Sequence, residues 1–122
     1  MSDAKKLNLC EETVCGEADR LVSGDRGSSY GHPLDDFAKT AAFWSVILGV
    51  RVTEEQVALC MIAVKQSREL NKEKRDNKVD IAGYTKCLDM VINERKRRIE
   101  EGWTFDNATA RWSMPHLNVR KE

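Results

Sequence analysis

Thr53-Glu54-Glu55-Gln56-Val57-Ala58-Leu59-Cys60-Met61-Ile62-Ala63-Val64-Lys65 is the stretch that decides the fold. Its first four residues spell a capping box: the Thr53 hydroxyl meets a free backbone N–H, and the Gln56 side chain reaches back. Behind the cap, Val57, Cys60, Met61 and Val64 fall at helical spacing, which predicts a helix to about Leu70 with those four side chains inward. Upstream, Pro33 opens a second helix that ends at Gly49. Phe37, Ala41, Trp44 and Leu48 form its stripe, with Ala38 and Ile47 alongside, and Asp35 and Asp36 sit in the dipole-favoured first turn. Further upstream, Val14, Ala18, Leu21 and Val22 mark a helix over about 10–23. Downstream of a charged connection at 71–78, Asp76 or Asn77 caps a long helix to about Glu101, with Ile81, Tyr84, Leu88, Val91 and Arg95 on one face and Gly102 as its stop.

Two segments escape this pattern. Residues 24–33 hold three glycines and a proline, which predicts a loop. After Gly102 the apolar residues Trp103, Phe105, Trp112 and Met114 follow no long helical period, so the tail is expected to be irregular. It should pack back onto the domain or onto a second copy, because two tryptophans carry a large apolar area. The expected architecture is all-α: a compact bundle of about four helices in one domain spanning 1–122, with a core over about 10–101 and a tail over 102–122. A chain of 122 residues suits a single domain.

Composition narrows the function. Lys plus Arg equals Asp plus Glu, 20 against 20, so no long-range field would gather extended nucleic acid. The run Glu94-Arg95-Lys96-Arg97-Arg98 is followed by Glu100 and Glu101 and reads as a solvated helix face. No apolar run approaches the roughly 20 residues needed to span a bilayer, and residues 1–9 lack the apolar core of a secretion signal. A cytoplasmic protein without membrane partners is expected. Cys10, Cys15, Cys60 and Cys87 form no CxxC pair, and Cys60 and Cys87 read as free core thiols.

The candidate binding residues come from four places. The glycine-rich segment offers Arg26, Tyr30 and His32 just before a helix N-terminus, a setting suited to phosphate; the plain alternative is a connector. Lys65 and Arg68, one turn apart, form either an anion-binding pair or a complement to the helix dipole. Asp76, Asp80 and Tyr84 share one helix face. Asp80 is expected to pair with Lys65 or Arg68, or else to contact ribose, base or metal. Trp44 can stack on a base, but its register favours the core. If the chain holds a metal at all, Asp76 and Asp80 are the first candidates to ligate it. No catalytic residue and no cofactor are expected, with magnesium required only if the chain is a hydrolase.

The pattern Gly24-Asp25-Arg26, Tyr30-Gly31-His32-Pro33 with Phe37 and Trp44, then Val57-Ala58-Leu59-Cys60-Met61 with Lys65 and Arg68, then Asp80-Ile81-Ala82-Gly83-Tyr84, resembles a family of small phage and prophage proteins of unassigned function. That family is distantly similar to MazG-like all-α nucleotide pyrophosphohydrolases. The resemblance implies a nucleotide pocket in a protein of the infected bacterial cytoplasm. The hydrolase E-x-x-E is missing here, which favours binding over cleavage. Such a protein would be a small homo-oligomer that sequesters a nucleotide immune signal, cyclic ADP-ribose-like or a cyclic dinucleotide, as an anti-defence protein. Arg26, Lys65 and Arg68 would hold phosphates. Tyr30, His32 and Asp80 would contact ribose or base, and Trp44 or Tyr84 would stack. The alternatives are a magnesium-dependent pyrophosphohydrolase using Asp76 and Asp80 with Glu54 or Glu55, and a structural or protein-binding phage module.

Overall fold

The computed structural model describes residues 11–115, with residues 25–27 described by their backbone alone. Cys10, expected at the start of the first helix, lies outside the described residues, as does the tail over 116–122.

The elements are α1 (Val14–Leu21), a π-helical turn (Val22–Arg26), α2 (Gly27–Tyr30), α3 (Pro33–Leu48), α4 (Glu54–Asn71), α5 (Arg75–Glu100), β1 (Thr104–Asp106) and β2 (Arg111–Ser113). The fold is all-α, with one small antiparallel hairpin. α5 is the spine: α1, α3 and α4 all pack on it. Leu34, Phe37, Ala41, Val57, Ala58, Cys87 and Val91 make the core, with Trp44, Tyr84, Leu88 and Trp112 at its margin. No helix among the described residues is long and apolar enough to cross a membrane.

Local rules account for the element ends. Thr53 Oγ1 accepts from the Gln56 N–H while Gln56 Oε1 accepts from the Thr53 N–H, completing the predicted capping box. Gly49 ends α3 at φ 71°. At the end of α5, Gly102 takes φ 88°. Its N–H donates to the Ile99 carbonyl and the Trp103 N–H to the Arg98 carbonyl, the bond pair of a Schellman stop.

Several expectations are corrected. The glycine-rich segment is helical through Tyr30. A π turn adds a residue without breaking the hydrogen-bonded path, and glycine weakens a helix without forbidding it. The break falls only at Gly31, with φ 77°, and His32. On α3 the buried stripe stops early: Ile47 is 76% exposed and Leu48 63%. Beyond Ala41 in that helix only Trp44 and Ser45 are half-buried, and the other side chains stay exposed. On α4, Val57 and Ala58 are buried, while Cys60 and Val64, expected inward, are exposed. A helix seated mainly on one neighbour buries only a narrow strip. Cys87 is a buried thiol, as expected, whereas Cys60 is an exposed one. Lys74, not Asp76 or Asn77, occupies the α5 cap position, with no side-chain cap bond. Asn77 is buried instead, donating from Nδ2 to Glu69 at 3.0 Å.

The tail is the largest correction. It is a hairpin with Phe105 opposite Trp112, their ring centroids 5.3 Å apart. Asp106 holds the turn by accepting from the Ala108 N–H and the Thr109 hydroxyl. Strands of three residues are too short to show the alternation by which a strand is read. The tail does fold back on its own chain, since Trp112 packs against the core.

The basic run before it is solvated at Lys96 and Arg97, as expected, but not at its last residue. Arg98 is only 6% exposed. Its guanidinium donates twice to Asp35, at 2.7 and 2.9 Å, and once to Glu94 at 2.8 Å. The Trp103 ring lies 4.8 Å from it and the Trp112 ring 5.8 Å. The two tryptophans shield an arginine whose charge is already matched. Replacing Arg98 by Met leaves Glu94 short of a cation in a partly dry place and should cost about 2–3 kcal/mol. The exposed neighbour's Lys96→Met variant should leave the urea midpoint nearly unchanged. Equal midpoints for the two variants would contradict the clamp.

Candidate functional site

Where α4 and α5 run side by side, Lys65 meets Asp80, and Asp80 and Tyr84 line one cleft. Lys65 Nζ lies 3.0 Å from Asp80 Oδ2, the ion pair expected from the helix spacing. The lysine side chain is 15% exposed and the aspartate 39%, so the pair opens to solvent through its carboxylate. Tyr84 stands one turn further along α5, its ring 6.4 Å from Phe37. Asp80 and Tyr84 line a small cleft with Ala18, Leu21, Val22, Val79 and Gly83, about 40 Å³ in volume. Gly83 forms part of that wall; a Cβ there would meet Val22 Cγ2 at 3.5 Å, an ordinary contact.

One turn along α4, Arg68 borders a groove of about 440 Å³ together with Ser67, Asn71, Lys72, Lys74 and Asn77. Several cations among the described residues are matched: Arg75 to Glu17, Lys86 to Asp19, Arg95 to Glu54 and Glu55, Arg97 to Glu94 and Glu101. Arg68, Lys72 and Lys74 have no carboxylate partner among the described residues. The carboxylate nearest in sequence, Glu69, is committed elsewhere. Lys78 above all, then the Lys74 N–H and Asn77, hold its carboxyl down at about 2. The groove is thus a locally positive surface lined with amide and hydroxyl groups, the chemistry that receives a phosphate. In the sequence Lys72 and Lys74 read only as part of a charged connection. Their availability shows once Glu69 and Glu73 are seen to be taken by Lys78.

The other candidates lie elsewhere. His32 caps α3, its Nδ1 accepting from the Leu34 N–H at 3.0 Å. Burial lowers its pKa first of all, in a setting shared with Glu94, Arg98, Asp35 and Arg97. Glu94 is fourteen residues beyond Asp80 on α5, about 21 Å at the helical rise. His32 and Asp80 therefore do not meet over one small ligand. Tyr30 ends α2 and is 59% exposed. Trp44 is half-buried against the core, as its register predicts. The Arg26 side chain lies outside the described residues.

The carboxylates named for metal do not converge. Asp76 is exposed in the first turn of α5, Asp80 faces Lys65, and Glu54 and Glu55 hold Arg95 at 3.1 and 2.6 Å. Among the described residues no group of three or more His, Cys, Asp or Glu side chains is placed to hold a metal ion.

The sequence pattern of the family described as Domain of unknown function (DUF6378) matches residues 13–92. The chain belongs to this family. The matched stretch contains the Lys65 to Asp80 pair, Tyr84 and the cationic groove, and leaves out the hairpin. The chain is 34% identical over 84 residues to the Gene 55 protein of Mycobacterium phage D29, covering 68% of this chain and 56% of that protein. It is 32% identical over 92 residues to the Gene 55 protein of Mycobacterium phage L5, covering 74% and 59%. The chain thus spans a little over half the length of these relatives. No solved structure matches it. DUF6378 is a family of unassigned function with phage members, as the sequence resemblance implied.

The pH response follows from two groups. His32 binds its proton less readily folded than unfolded, so its contribution is complete above its ordinary value of 6.5 and fades as pH falls below it. Glu94, held down to about 2 chiefly by Arg97, with Arg98 also lowering it, contributes above the ordinary 4.5 and loses that contribution as pH falls toward 2. Urea midpoints measured from pH 8 to pH 3 should therefore fall in two stages. His32→Asn, which keeps a capping oxygen, should remove the first. An unchanged first stage in that variant would contradict the assignment.

Proposed function

We propose that this protein binds a phosphorylated nucleotide-type ligand and holds it without cleaving it. The observation that carries this reading is a run of three cations, Arg68, Lys72 and Lys74, with no carboxylate partner among the described residues. Arg68 lies one helical turn from Lys65, whose solvent-open partner Asp80 lines the Tyr84 cleft. Phosphates would lie in the groove. The cleft is too small to enclose a base, so a ring edge would enter it beside Tyr84 while Asp80 accepts hydrogen bonds from ribose hydroxyls or an exocyclic amine. Lys65 holds the Asp80 carboxylate in place and adds positive charge behind it.

Within a family that has phage members, such a binder fits sequestration of a nucleotide immune signal, of the cyclic ADP-ribose or cyclic dinucleotide kind. The MazG-like reading, magnesium-dependent cleavage of a nucleotide pyrophosphate, needs several carboxylates turned toward one metal. Glu54, Glu55 and Asp80 are engaged by Arg95 and Lys65 instead, which favours binding over hydrolysis.

A thermal-shift panel of nucleotides, cyclic dinucleotides and ADP-ribose derivatives, with and without magnesium, tests the reading. A ligand at 100 times its dissociation constant should stabilise the fold by about 2.7 kcal/mol. Arg68→Ala and Lys72→Ala should each weaken that ligand about tenfold, the loss of one charge-assisted contact. Gly83→Ala should raise the ligand-free stability by up to about 1 kcal/mol while crowding the cleft and weakening binding. Unchanged affinity in all three variants, or product formed only with magnesium, would sink the proposal.

A further inference from the structure

Two of the groove cations, Lys72 and Lys74, stand on the short connection between α4 and α5. Both have extended backbone, with φ/ψ of −154°/121° and −145°/141°. Side chains two apart on an extended chain leave it on the same side, and the one between them leaves on the other. The groove shows that alternation: Lys72 and Lys74 line it, and Glu73 is not part of its wall. Glu73 reaches Lys78 instead, at 2.6 Å. A slip of one position would turn the glutamate into the groove and both lysines out of it.

The side chain at the α5 cap position does not hold that register, since Lys74 makes no side-chain cap bond. The hold comes from Glu69, near the end of α4, whose two carboxylate oxygens have separate partners. Oε1 accepts from the Lys74 N–H and from Asn77 Nδ2, both at 3.0 Å. Oε2 takes the Lys78 ammonium at 2.7 Å. Asn77, only 7% exposed, extends the grip, because its Nδ2 also reaches the Lys72 carbonyl at 3.4 Å. Through one oxygen, Glu69 thus ties down the backbone of both lysines. A carboxylate beside an anion groove otherwise works against the ligand, because like charges repel.

We infer that Glu69 is the positioning residue of the groove: its Oε1 holds the connection in the register that turns Lys72 and Lys74 toward a bound anion and Glu73 away from it. The inference rests on the reading of the groove as a phosphate site. Glu69 acts through the two lysines and not by contact with the ligand.

Calorimetric titration of the full chain with inorganic pyrophosphate at low salt tests it, with two variants that remove the same charge. Glu69→Gln keeps an oxygen for the Lys74 N–H and Asn77 and gives up only the tie to Lys78. Glu69→Ala gives up both. If Glu69 were only a nearby charge, the two variants would bind pyrophosphate equally, and both more tightly than the unaltered chain. Positioning separates them. Glu69→Gln should bind about twofold tighter than the unaltered chain, one repelling charge having gone. Glu69→Ala should bind about tenfold more weakly, the loss of one charge-assisted contact as the lysines turn away. Amide hydrogen exchange at Lys74 should quicken in Glu69→Ala and stay slow in Glu69→Gln, with the same helical circular dichroism in both. Equal affinities in the two variants, or unaltered exchange at Lys74 in Glu69→Ala, overturn the inference and leave the groove standing. An unaltered chain that does not bind pyrophosphate overturns the groove reading, and this inference with it.

Discussion

The burial of Arg98 constrains everything around it. A guanidinium cannot leave water unless its charge and its donors are met. Asp35 and Glu94 meet them from two directions, one on α3 and one a turn back on α5. That requirement fixes where the start of α3 crosses the end of α5. It also explains the path of the chain beyond Gly102. Trp103 and Trp112 lie over the guanidinium, and the hairpin brings the second of them back. His32 sits at the same junction as the α3 cap. One end of the spine helix is thereby closed, with its charges spent on one another.

The other end is left open. Where α4 turns into α5, Glu69 and Glu73 are taken by Lys78, and Arg68, Lys72 and Lys74 keep their charge toward solvent. A chain with no net charge can still offer a local anion site, because what matters at contact distance is which charges are paired, not how many there are. The same pairing bears on chemistry. Glu54, Glu55 and Asp80, carboxylates named as possible metal ligands, hold arginine and lysine instead.

Much of this was legible in the sequence, and the failures share a cause. The capping box at Thr53, the stops at Gly49 and Gly102, and the Lys65 to Asp80 pair follow from spacing and local hydrogen bonding, which a sequence displays directly. Which apolar face turns inward does not. Cys60, Val64, Ile47 and Leu48 have the right period, but burial depends on which neighbour arrives, and α3 and α4 each receive fewer than their apolar residues would accept. Arg98 was hidden inside a basic run because its partner Asp35 lies 63 positions away. The glycines at 24 and 27 looked like a break because composition does not reveal a π turn. Of the site residues, Lys65, Asp80 and Tyr84 came together through helical spacing on α4 and α5; Trp44 stays at the core margin by its own register on α3, and Tyr30 and His32 lie at the break before α3, whose routing the sequence does not display.

The most direct test of the account is an amide proton–nitrogen NMR titration of the full chain with inorganic pyrophosphate, the simplest stand-in for the phosphates of a nucleotide. The account predicts salt-sensitive shifts concentrated at residues 65–80, around Arg68, Lys72, Lys74 and Asp80, with the Arg98 end of α5 undisturbed. Shifts centred on residues 22–32, or none at any concentration, would contradict it.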